Sequence, residues 1–392
     1  MLKKIAVASF ITLNIAASAS AQSGTQLNGQ RIALTTAVPF LRISPDARSG
    51  AMGDVGIAIS PDANAQYWNV GKIPFAEKQY GVSLNYTPWL KDLVPDINLL
   101  FASGYAKFGK DNNQAISASI RYFSLGTINF TDNQGASMGS GQPNEYAVSF
   151  GYSRRLSQYL SAGVNLRYIH SSLFSTSLSN YSSQNGTAIA GDVGLYYTKT
   201  TDKGNDQAST FSAGAVISNL GSKISYGSSR RDFIPTNLGL GAAYTYKVDM
   251  YNKFTVAVDV NKLLVPGIDE KVDSLGNMTY SYPDKSVMSG VFSSFGDPYG
   301  IKRLNASVGA EYWYQDQFAV RAGYYYEHKD NGDRRYFSCG LGVRYTVFAI
   351  DAAYLVPSGS GITRNPLSNT VRFSLSFNFN NNDKVFSDNK EG

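Results

Sequence analysis

Val371, Phe373, Leu375, Phe377 and Phe379 alternate with Arg372, Ser374, Ser376 and Asn378. Side chains along a strand point to opposite faces in turn, so this stretch is a ribbon with one apolar and one polar side. The pattern recurs in fourteen stretches: 79–87, 97–108, 114–123, 145–154, 159–170, 188–198, 210–219, 237–247, 253–261, 304–314, 317–327, 336–345, 347–355 and 370–379. Leu160, Ala162, Val164, Leu166 and Tyr168 alternate with Ser161, Gly163, Asn165 and Arg167; Phe254, Val256, Val258 and Val260 alternate with Thr255, Ala257 and Asp259. Such repetition predicts an all-β fold, a 14-stranded antiparallel transmembrane β-barrel with its apolar side in lipid and its polar side around a lumen. The charges agree with that register. Arg121, Arg167, Arg321, Arg344, Arg372, Asp259, Glu311 and Asp351 all fall on the polar side. A cation facing lipid at mid-depth would cost about 2–4 kcal/mol.

The spacers alternate in length. Odd-numbered connections run long (88–96, 124–144, 171–187, 220–236, 262–303, 328–335, 356–369). Even-numbered ones are tight, as at Gly109–Asn113 and Gln315-Asp316, and 199–209 is the longer exception. Outer-membrane barrels have short periplasmic turns and long outer loops, so this parity with an even strand number predicts periplasmic termini.

The N-terminus reads as a secretory signal over 1–21: Lys3 and Lys4, an apolar run from Ile5 to Ala17, then the small-residue site Ala19-Ser20-Ala21. Past Gln22 no apolar run approaches the roughly 20 residues of a membrane helix. A mean hydropathy of -0.21 fits a barrel, because half of each strand is polar. The net charge of +6, or +4 once Lys3 and Lys4 leave, is too diffuse to imply nucleic acid. The single Cys339 excludes an intramolecular disulfide and falls on an apolar face beside Phe337 and Leu341. Two segments lack the barrel pattern: 22–78, before the first strand, and the polar tail 380–392, after a barrel spanning 79–379.

Residues 37–75 read AVPFLRISPDARSGAMGDVGIAISPDANAQYWNVGKIPF. The spacing from Gly53 to Asn69 resembles the N-terminal hatch of the FadL-like barrels, and the longer PFLRISPDARSGAMGDVG stretch resembles the PorV family, an outer-membrane component of the Bacteroidetes type IX secretion system. The resemblance implies an adaptor. Such a barrel associates with the translocon barrel SprA (also called Sov), takes up cargo bearing a C-terminal signal domain, and passes it to a surface attachment complex that includes the sortase PorU. The alternative is a FadL-type transporter of hydrophobic small molecules. Fatty-acid transporters carry Asn-Pro-Ala in the hatch, where this chain has Asn69-Val70-Gly71.

Within 22–78 the candidate plug residues are Arg42, Asp46, Arg48, Gly50, Gly53, Asp54, Asp62 and Asn69. Their charges are expected to engage lumen charges such as Arg121, Arg167, Asp259 and Glu311, and the glycines permit close approach to a wall. Candidate partner contacts lie on two loops, at Trp89 and Leu90 and at Leu263, Leu264, Val291, Phe292 and Phe295, since apolar clusters on outer loops usually mark contacts. Outer-membrane lipid and lipopolysaccharide are the expected surroundings. Catalysis finds no support: two histidines, His170 and His328, neighbour no nucleophile motif, and no metal-ligand spacing occurs. No enzyme activity and no cofactor are therefore expected.

Overall fold

The computed structural model describes residues 36–89, 96–131, 134–173, 184–227, 230–267, 269–272, 278–281, 284–296, 299–329, 331–356, 369–381 and 383. Leu90 and the tail from 384 onward lie outside them.

Fourteen strands form one closed antiparallel barrel. They are β1 (Tyr80–Pro88), β2 (Asn98–Phe108), β3 (Gln114–Ser124), β4 (Asn144–Arg155), β5 (Leu160–Ser172), β6 (Gly186–Gly204), β7 (Gln207–Gly221), β8 (Asn237–Lys247), β9 (Asn252–Leu263), β10 (Leu304–Tyr314), β11 (Phe318–Glu327), β12 (Arg335–Tyr345), β13 (Phe348–Val356) and β14 (Val371–Phe379). Each pairs with its sequence neighbours, and β1 closes on β14 from Tyr80↔Phe379 to Tyr86↔Phe373. Closure satisfies every edge, which an open sheet in hydrocarbon could not do. The alternation predicts the faces correctly. On β5, Val164, Leu166 and Tyr168 are exposed, while Asn165 and Arg167 are buried. Cys339 lies on the outer surface.

One end of the barrel carries tight turns and the other carries the loops. At the turn end, Asn205 and Asp206 both have positive φ and join β6 to β7 directly, the geometry of a type I′ hairpin. This corrects the reading of 199–209 as a longer connection. The ladder continues to Gly204↔Gln207, and the Thr200 and Thr210 hydroxyls bond across it at 2.9 Å. Past the membrane there is no lipid to demand an apolar face, so the pattern fades while the strands go on. At the loop end, two further hairpins (Ile128–Thr131 with Ser137–Gly141, and Asp269–Val272 with Met278–Ser281) and a helix (Val287–Ser293) decorate the connections.

The interior is filled by residues 38–76. Phe40, Ala47, Ala51, Met52, Val55, Ala58 and Ala65 are fully buried there. The segment begins at the loop end, where Val38, Phe40 and Leu41 pack with Leu99, Phe123, Ile169, Ile224 and Ile234. It finishes at the turn end, where the Pro74 carbonyl accepts from Arg155 and the Ala76 carbonyl from Lys107.

Candidate functional site

The lumen segment is built from short helical pieces because helices satisfy their own backbone in a space too narrow for another sheet. Asp46 caps the helix Ala47–Ala51 by accepting from the Ser49 N–H at 2.8 Å, and its other oxygen accepts from Trp68 Nε1 at 2.7 Å. Ala47 N–H donates to Ser374 Oγ on β14 at 2.8 Å. The helix then delivers Arg48 to a strand four places round the barrel. Its Nε and Nη2 donate to the two oxygens of Glu311 on β10 at 3.0 and 2.9 Å, a bidentate pair, and its Nη1 donates to Asp62 at 3.0 Å. Glu311 also accepts from Arg321 Nε at 2.7 Å, and Arg321 Nη1 donates to Asp351 at 2.7 Å. Five charges thus run from the hatch through β10 and β11 to β13, alternating in sign.

A second lock lies at the next turn. Gly53 (φ 71°) and Asp54 (φ 62°) both adopt the left-handed region. A Cβ on Gly53 would sit 2.6 Å from the Tyr324 backbone nitrogen, and one on Gly323 would sit 2.0 Å from the Met52 carbonyl carbon. Neither position admits a side chain without moving backbone. Asp54 accepts from Arg372 on β14 and from the Tyr336 hydroxyl on β12. The Gly56 and Ile57 amides then converge on one oxygen of Asp259 on β9, at 2.7 and 2.9 Å.

The remaining contacts close the circuit. Asn69 Nδ2 donates to the Leu195 carbonyl on β6 at 2.9 Å, and its oxygen accepts from the Gly71 N–H at 3.0 Å. Arg121 on β3 donates to the Phe40 and Leu41 carbonyls at 3.0 and 2.9 Å and stacks 4.4 Å from the Tyr67 ring. Lys72 is buried and donates to the Gly56 carbonyl at 2.6 Å. Gly50 packs against the Arg372 side chain.

Of the residues expected to meet, Arg48 and Asp62 pair with each other and Arg48 with Glu311, while Asp259 and Arg121 bind hatch backbone rather than hatch charge. Arg167 instead pairs with Asp192 on the neighbouring strand, at 2.8 Å. Arg42 lies 4.0 Å from Glu327. Sequence reasoning missed Lys72, Trp68, Tyr336 and the Arg372 partnership. The lone Lys in an apolar stretch and the charge on β14 were the available signals.

Among the cavities beside the hatch, the ones toward its two ends share no lining residue. The one toward the loops, about 100 Å³, is lined by Arg42, Arg167, Arg334, Asn219, Asn261 and Tyr325 among others. The one at the turn end, about 310 Å³, is lined by Asp62, Glu77, Arg344 and Asp316 among others. Among the described residues no group of three His, Cys, Asp or Glu side chains could hold a metal ion.

The candidate loop contacts divide. Leu263 and Leu264 are buried and offer no outer surface, while Trp89 is half-buried and packs against the cluster at the loop end. Phe292 and Phe295 are exposed, together with Met288 and Ile301, while Val291 is half-buried.

A family model described as Type IX secretion system protein PorV matches residues 26–270. The chain belongs to that family. The PorV match covers the hatch and the strands through β9. Solved structures give the fold. The TodX deltaS2S3 mutant monoaromatic hydrocarbon channel aligns at a TM-score of 0.51 and 14% identity, over 85% of this chain and 99% of that one. The toluene transporter TbuX of Ralstonia pickettii aligns at 0.47 and 12%, over 85% and 98%. No curated protein matches in sequence. With the closed barrel and its lipid-type exterior, PorV membership makes this an outer-membrane protein of the type IX secretion system of FadL-like fold.

Proposed function

We propose that this barrel is a plugged adaptor. It binds cargo bearing a C-terminal signal domain after the SprA translocon and hands it to the attachment complex containing PorU, without catalysis. The observation that carries this reading is the hatch, bonded to the wall by buried ion pairs and paired amides on many strands. A barrel so filled works through its outside. The loops and their exposed aromatic residues Phe292 and Phe295 face the cell exterior and form the partner surface, while the turns and the tail 380–392 face the periplasm.

A FadL-type transporter is the second reading, favoured by the likeness of the fold to a monoaromatic hydrocarbon channel. The cavity toward the loops argues against it. It holds only about 100 Å³, and Arg42, Arg167, Arg334 and Asn219 share its lining with Leu41, Ile57 and Trp68, whereas ligand pockets are typically several hundred Å³ with mostly apolar walls.

Deleting the gene and comparing the secretome with the parent separates the two. The adaptor reading expects signal-domain proteins to be lost from the cell surface with uptake of hydrophobic small molecules unchanged. Normal display of those proteins with reduced uptake would overturn it.

A further inference from the structure

An arginine keeps its proton in any protein interior, so a buried one needs a negative partner or a counter-ion. Arg121 on β3 is 4% exposed and bonds to no carboxylate among the described residues. Its Nη1 donates to the Phe40 and Leu41 carbonyls of the hatch, at 3.0 and 2.9 Å. Its guanidinium lies 4.4 Å from the Tyr67 ring and 5.4 Å from the Phe101 ring. Carbonyls and ring faces ease the burial of a cation but leave its charge in place. The Nη2 atom is buried and has no hydrogen-bond partner among the described residues. Asp46 acts on Arg121 through space, but its oxygens are taken by the Ser49 N–H and by Trp68 Nε1.

Arg121 lines a cavity of about 20 Å³ together with Ser119, Ser149 and Arg167. The ladder builds this group. Ser119 stands opposite Ser149 across β3 and β4, and Ser149 stands opposite Arg167 across β4 and β5. One row of the wall thus brings two hydroxyls and a second guanidinium beside Arg121. Ser149 Oγ accepts from Arg167 Nε at 3.1 Å, which leaves its own hydrogen to donate. The charge of Arg167 is met by Asp192 at 2.8 Å, so the charge of Arg121 is the one in excess. No carboxylate is among the described residues that line the cavity. A water there would satisfy Nη2 but not the charge. The volume admits one body of about the size of a water, which excludes a carboxylate or a phosphate. Leu41, Tyr67 and Arg167 also line the cavity toward the loops, which gives a small ion a cationic way in past Arg42 and Arg334.

We infer that a single halide ion, chloride in the cell, binds in the lumen between Arg121 and Arg167 on the hydroxyls of Ser119 and Ser149. It is the counter-ion of Arg121, and through the Phe40 and Leu41 carbonyls it helps to seat the hatch.

The intact barrel in detergent tests this in two ways. It is crystallised with sodium bromide as the only halide, and its unfolding temperature is followed at constant ionic strength as sodium gluconate is exchanged for sodium chloride. The expected results are an anomalous bromide peak within hydrogen-bond reach of Arg121 Nη2 and Ser149 Oγ, and a saturable rise in unfolding temperature with chloride. Ser119→Ala combined with Ser149→Ala keeps both arginines and should raise the half-saturating chloride concentration about tenfold, the effect of losing roughly one hydrogen bond to a charged group. Arg121→Met should abolish both the bromide peak and the chloride dependence; if that variant does not fold, the serine pair decides. A water at that position in bromide, bromide on the outer surface alone (an adventitious ion only), or an unfolding temperature unchanged by the exchange would overturn the inference.

Discussion

The two faces of the same strands live in opposite surroundings. On β5, Leu166 is 62% exposed, while its neighbour Arg167 is buried against Asp192. On β14, Phe373 is exposed to lipid, and Arg372 is almost wholly enclosed. The outer face needs nothing from the rest of the chain, because lipid is its partner. The inner face carries buried charges such as Glu311, Arg321 and Arg372, and these are tolerable because a hatch or wall group answers them. The barrel and its plug are therefore unequal in specification: the outside is set by composition, the inside by particular pairs.

Breaking the inside at its centre has the largest expected effect. Glu311→Ala leaves Arg48 and Arg321 buried without their shared carboxylate, which should cost about 3–5 kcal/mol. Limited proteolysis of the hatch and the heat needed to unfold the barrel on unboiled gels should both report it. Glu311→Gln, which keeps the shape and some hydrogen bonds, should lose less. Equal, small losses would mean that the five-charge chain does not hold the plug.

The outside should respond by depth rather than by partner. Leu166→Arg places a cation in lipid and should cost about 2–4 kcal/mol of folding into vesicles. Beyond the lipid, Thr200→Ala on the hairpin extension should fall within about 0.5 kcal/mol in the same titration. If the two substitutions cost the same, the assignment of the membrane boundary on β6 and β7 is wrong.

That asymmetry also governs what can be read from residues alone. The alternation Leu160 to Tyr168 locates β5 within about two residues, since lipid enforces a period of two along the whole span. The hatch has no period. Arg48 and Glu311 are separated by 263 residues, and nothing near either one names the other. Charge on a polar face announces only that a partner must exist. Leu263 and Leu264 mislead for a related reason: an apolar run at a strand end looks the same whether it meets a partner or turns into the barrel's mouth, and here it is buried. The glycines carried more information. Gly53 is required by a left-handed turn pressed against Tyr324.

The central claim is that residues 38–76 close the lumen. Single-channel recording in planar bilayers tests it most directly, comparing the intact barrel with a variant lacking Gly50 to Asn69 whose strand content is verified by circular dichroism. A fourteen-stranded barrel is too wide for wall side chains alone to fill. The account predicts no steady conductance from the intact protein and open, porin-like steps from the deletion variant. Steady conductance from the intact protein, equal to that of the variant, would contradict it.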